Sequence, residues 1–232
     1  MSEENNNELS LTGLEIPIVL SVFALIFWNS IAVLPVKLMT VFFHELSHAL
    51  AAILTGGKVI RLGLHLNEGG ETLTVGGISI IILSAGYLGS LFWGSGILLL
   101  SLKKGINRGL TIALGILMTI VTLVWIRSLD AIAITLSLAA FLIFISLRLK
   151  EEYCSIIIKT ISLISCFYVV FDIKDNLIDK SVSISDASKI SKMIFPGFMQ
   201  TAGGYIIGFL WFIIAIFVLW KVFKYALDPN RK

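Results

Sequence analysis

Charge is what this chain most lacks. Only 14% of its 232 residues are Asp, Glu, Lys or Arg against 57% hydrophobic, and the mean hydropathy is +0.95. That balance excludes a soluble globular domain and describes a polytopic membrane protein. The net charge of +3 is too slight to imply a nucleic-acid partner, so the basic residues read as flanks of membrane spans. Cysteine is nearly absent. Cys154 and Cys166 fall in one predicted helix, about 18 Å apart along its axis at 1.5 Å per residue, which excludes a disulfide between them and fits no zinc site. Met1 to Glu15 carries Glu3, Glu4, Glu8 and Glu15 without a Lys or Arg. It therefore lacks the basic start of a secretory signal, and the first apolar run is expected to be a retained helix.

Histidine is also scarce, and two of the three stand together in Phe42-Phe43-His44-Glu45-Leu46-Ser47-His48-Ala49-Leu50. On a helix, His44 and His48 lie four residues apart and project to one side, where both imidazoles can reach one metal ion. HExxH is a zinc-ligand spacing. Glu45 sits beside the metal rather than on it, placed to take a proton from an attacking water. The surrounding run from Lys37 to Leu54 is nearly all apolar. Ionisable groups at bilayer depth are costly and mark function.

The chain is expected to form one all-α, multi-pass membrane domain over residues 16–226, between an acidic tail at 1–15 and a basic tail at 227–232. At about 20 apolar residues per span, seven candidates appear. They are Ile16 to Pro35, Lys37 to Leu54, Ser79 to Leu102, Gly109 to Ile126, Ser128 to Leu147, Tyr153 to Phe171 and Thr201 to Tyr225. Between the second and third, over about residues 58–77, the period changes from helical to alternating. Leu62, Leu64 and Leu66 alternate with Arg61, Gly63 and His65, and Asn67-Glu68-Gly69-Gly70 turns the chain into Thr72 and Thr74. This predicts a small β-hairpin packed beside the metal helix, with an edge to which an extended substrate could add. Gly86, Ser90 and Gly94 make a smooth stripe expected to pack on the HExxH helix, and Gly204 and Gly208 form a second close-packing pair. Arg127 and Asp130 are at helical spacing for an ion pair.

Catalytic zinc usually takes three protein ligands and a water. The remaining histidine is His65, so a carboxylate is expected to be the third. Asp172, at the end of the sixth span, lies nearest membrane depth and is the first choice, with Asp175 one turn on as the alternative. Spans two and six cross in the same direction, which brings His44, His48 and Asp172 to one side. Ser185 or Asp186 is read as the N-cap of a short helix through Met193, ahead of a role at the metal.

Together these residues resemble a family. His44-Glu45-Leu46-Ser47-His48-Ala49, Thr55-Gly56-Gly57-Lys58-Val59, Gly69-Gly70-Glu71-Thr72 and Ala85-Gly86-Tyr87-Leu88-Gly89-Ser90 look like the short branch of the site-2 protease-like intramembrane zinc metallopeptidases, the B-like subgroup of peptidase family M50. Asp172-Ile173-Lys174-Asp175 and Ser185-Asp186-Ala187 resemble its late motifs. The resemblance implies a zinc metalloendopeptidase that cuts transmembrane helices of other membrane proteins within or near the bilayer, with two motif histidines and a later aspartate as ligands. Better-studied relatives carry Asp-Gly at the third ligand. This chain has Asp172-Ile173, which leaves Asp172 and Asp175 both open. The alternative is a non-catalytic membrane scaffold or regulator that keeps the fold and binds zinc. The sequence names no oligomeric state.

Overall fold

The structure, a computed structural model, describes residues 13–66, 69–174 and 185–228, and of 170–174 it describes the backbone. Eight α-helices and one hairpin appear among the described residues. In order they are α1 (Glu15–Ile26), α2 (Leu34–Leu54), β1 (Lys58–Leu64), β2 (Gly70–Val75), α3 (Ser79–Ser101), α4 (Asn107–Trp125), α5 (Leu129–Arg148), α6 (Glu151–Lys174), α7 (Asp186–Ile194) and α8 (Gln200–Ala226). Six are long and apolar enough to cross a membrane: α2 with its preceding turn, α3, α4, α5, α6 and α8. The expected all-α membrane architecture with a small hairpin is what the chain adopts.

The first apolar run differs from its expected length. A helix of 12 residues, α1, rises about 18 Å, well short of a hydrocarbon core of about 30 Å. The helix stops because the polar pair Asn29-Ser30 interrupts the run, and the Ser30 hydroxyl accepts from the Ala32 amide at 3.3 Å to start a 3-10 turn over Ile31–Val33. Pro35 then opens α2, where its missing N–H is no loss. The apolar residues from Ile31 onward thus join the HExxH helix, while α1 packs along α6.

Helix α2 is the axis of the molecule. Of its most apolar window 83% is buried inside the protein, against 28% for α8, so α2 is enclosed by other helices while α8 presents much of its surface outward. One core joins Met39, Phe42, Phe43 and Leu46 of α2 to β1, α4, α5 and α6; a second fills the space between α3, α6, α7 and α8. Lipid tails are as apolar as leucine, so close fit rather than burial from water must hold these helices together. The small-residue stripe on α3 supplies that fit, divided between two partners. A Cβ at Gly86 would meet His44 and His48 of α2 at 2.5 Å, whereas one at Gly94 would meet Cys166 and Ser162 of α6 at 2.7–2.8 Å. The stripe serves α6 as well as the HExxH helix. Hydroxyls inside the spans, including Ser47, Thr111, Thr135 and Ser162, donate to carbonyls four residues back and so need no water.

The hairpin pairs Leu62 with Thr72 and Leu64 with Gly70 in antiparallel register. Leu62 and Leu64 are buried, but Leu66 lies in the turn and is exposed. On β2 the half-buried residues are Thr72 and Thr74, while Leu73 and Val75 face outward. On this strand that reverses the pattern of a hairpin in water: the threonines of β2 are turned in, toward α2, while β1 buries its leucines. The Arg127 guanidinium donates to the carbonyls of Leu123, Val124 and Ile126 at the end of α4, and Asp130 stands 3.6 Å from His65. The expected Arg127–Asp130 pair is therefore replaced by a helix C-cap and a contact to the hairpin. Cys154 and Cys166 are free and buried.

Candidate metal centre

The two motif histidines project from successive turns of α2 with their rings edge to face, centroids 4.7 Å apart. His48 Nδ1–H donates to the Ile82 carbonyl at 2.6 Å, which leaves Nε2 as the lone-pair nitrogen. Both Nε2 atoms point at α3, against Gly86. A Cβ there would lie 2.5 Å from each of them, so the absence of a side chain makes the room that an ion between the imidazoles requires. Ring contacts close the flanks: Tyr87, stacked on Trp211, meets His44 edge-on at 5.1 Å, and Tyr168 does so at 6.3 Å.

The third member comes from α7. Asp186 Oδ2 lies 3.3 Å from His44 Nε2 and 3.1 Å from His48 Nε2, and all three side chains are buried. Their ligand atoms fall within 4.8 Å of one another, the one such group of three among the described residues. A tetrahedral zinc site with arms of about 2.0–2.1 Å has edges of about 3.3 Å, so the donor set and its spacing fit a zinc ion. Burial alone would raise the Asp186 carboxyl, but the two imidazoles against it, His44 and His48, outweigh burial and hold the group well below the ordinary carboxylate range.

Glu45 is buried beside the cluster and is held from the hairpin side. The Thr72 hydroxyl stands 2.7 Å from Glu45 Oε2 and 3.0 Å from the Glu45 carbonyl, and its single proton serves one of them at a time. A Cβ at Gly70 would press on the Glu45 side chain at 2.5 Å. Strand β2 therefore lies directly over the carboxylate, and Gly70 and Thr72 fit it there. A cleft of about 420 Å³ opens between β2, α3 and α7 and is lined by His44, Glu45, His48, Asp186, Thr74, Tyr168 and Lys189.

Of the residues singled out from sequence, the structure brings His44, His48 and Glu45 to one cleft. The Asp172 backbone lies in the last turn of α6, but its side chain lies outside the described residues, as does Asp175 altogether. Asp186, first read as a cap, stands at the histidines instead. The cap belongs to Ser185, whose Oγ accepts from the Ser188 amide at 3.2 Å. Ser185 takes the capping position, so Asp186 enters the first turn with its carboxylate free to face α2. The signal for it was the Ser185-Asp186-Ala187 motif itself. Thr72 was singled out as a strand and motif residue but not as the partner of Glu45, and Tyr168 and Lys189 carried no sequence signal.

The family model described as Peptidase M50B-like matches residues 17–222, a stretch that contains the hairpin, the cluster and all six candidate spans but the end of the last. No curated protein and no solved structure matches the chain.

Proposed function

This chain belongs to the Peptidase M50B-like family of membrane-embedded metallopeptidases, and we propose that it is an intramembrane zinc endopeptidase acting on other membrane proteins. The observation that carries the reading is the buried convergence of His44, His48 and Asp186 next to Glu45. In this reading His44, His48 and Asp186 hold the zinc, with Asp186 taking the place first assigned to Asp172. Zinc supplies a Lewis acid there, able to lower the pKa of a water to about 7.

The remaining chemistry belongs to the chain's own residues. Glu45 accepts the proton of the attacking water through Oε1 or Oε2 and passes it to the leaving amine as the peptide C–N bond breaks. Thr72 fixes the Glu45 carboxylate during both transfers. A transmembrane substrate hides its carbonyls in helical hydrogen bonds, so it must unwind before it is cut. The outer edge of β2, beside the cleft, suits a strand so released. The buried walls of α2, α3 and α6 limit water to what the cleft admits.

Glu45→Gln tests this reading against that of a zinc-holding scaffold. A peptidase keeps its zinc and loses peptide-bond cleavage by at least about a hundredfold, in line with the contribution of a general base. A variant that holds zinc and still cleaves would remove Glu45 from the chemistry.

A further inference from the structure

The two oxygens of Asp186 have different partners. Oδ2 faces both imidazole nitrogens, while Oδ1 accepts from Lys189 Nζ at 2.9 Å. Lys189 lies three residues on along α7, on the same face, and its side chain is about half exposed at the cleft (54%). The α7 backbone is otherwise held: Ser185 caps its start, the Ser191 hydroxyl donates to the Gln200 carbonyl at 2.6 Å, and Gly203 lets α8 close on Ser191. With the helix fixed, the freedom left to Asp186 is rotation of the carboxylate about its last bond, a broad and soft torsion. Among the described residues, Lys189 alone holds Oδ1 against that rotation.

A carboxylate that turns both oxygens to a metal adds a fifth donor and crowds the position a catalytic site must keep for water. We propose that Lys189 is a positioning residue that occupies Oδ1 and so makes Asp186 a one-oxygen ligand, keeping the fourth position on the metal open. The proposal rests on the reading of Asp186 as third ligand. Lys189 acts through Asp186, with the i, i+3 spacing on a nine-residue helix setting its reach.

The test uses the full chain in detergent, with Co2+ as a visible probe and Zn2+ affinity measured by competition with a chelator. Wild type is compared with Lys189→Met, Lys189→Arg and, as a control on the same helix, Lys192→Met. The expected result is intense four-coordinate d–d bands in wild type. In Lys189→Met the bands should weaken to those of a five-coordinate site and Zn2+ affinity should fall about tenfold or more, the usual effect of losing an outer-shell partner. Lys189→Arg should restore both. A Lys189→Met protein with wild-type spectrum and affinity overturns the proposal while leaving Asp186 as ligand. An equal change in Lys192→Met also overturns it, as a general effect of charge. Wild type that binds neither ion overturns the metal reading itself, and this inference with it.

Discussion

Gly86 leaves no room for a methyl group between α3 and the two imidazoles. Its role is spatial, and its replacement has a definite consequence. Gly86→Ala would put a carbon 2.5 Å from both Nε2 atoms, so the rings must turn away or the helices part. Metal affinity should fall by more than tenfold, which chelator competition reads directly, while Gly96→Ala, which meets nothing within 4 Å, should leave it unchanged. At this scale the sequence was informative wherever chemistry is local. His44, Glu45 and His48 could be placed because four residues on a helix fix their geometry without further knowledge. Asp186 could not, because it meets His44 across 142 residues, and an acidic residue after a serine serves equally well to start a helix. Thr72 was legible as a strand residue but not as the partner of Glu45, since which way a hairpin docks depends on what it docks against.

Short helix α7 and the hairpin, as elements, bring the rest of the site to α2. The cap at Ser185 sets where α7 begins and so where the Asp186 carboxylate points. Ser185→Ala should cost about 1 kcal/mol of helix stability, and the effect should be read at the metal: weaker Zn2+ binding with the protein still folded by circular dichroism. An unaltered affinity would mean that packing against α8 alone positions Asp186. Alternation in residues 58–77 sufficed to find the hairpin, because a period of two is visible without tertiary knowledge. The shortness of α1 was less visible. Apolar residues resume directly after Asn29-Ser30, and only the capping contact of Ser30 and the placement of Pro35 show that a 3-10 turn over Ile31–Val33 leads into a new helix at Leu34.

Six candidate crossings among the described residues give the whole molecule a testable sidedness. The hairpin, α7 and the ends of α2 and α6 share one face, whereas the α3–α4 turn and the end of α8 share the other. With Cys154 and Cys166 replaced by serine, cysteines placed at Lys104 and Leu227 should react with an impermeant reagent from one side, and a cysteine at Val75 from the opposite side. Labelling of Lys104 and Leu227 positions from opposite sides would break the count of six. The single measurement nearest the central claim is zinc per chain in detergent-purified wild type, Asp186→Ala and Asp172→Ala. The account predicts near-stoichiometric zinc in wild type and in Asp172→Ala, and its loss in Asp186→Ala. Zinc retained by Asp186→Ala and lost from Asp172→Ala would contradict it, and would return the third ligand to the end of α6.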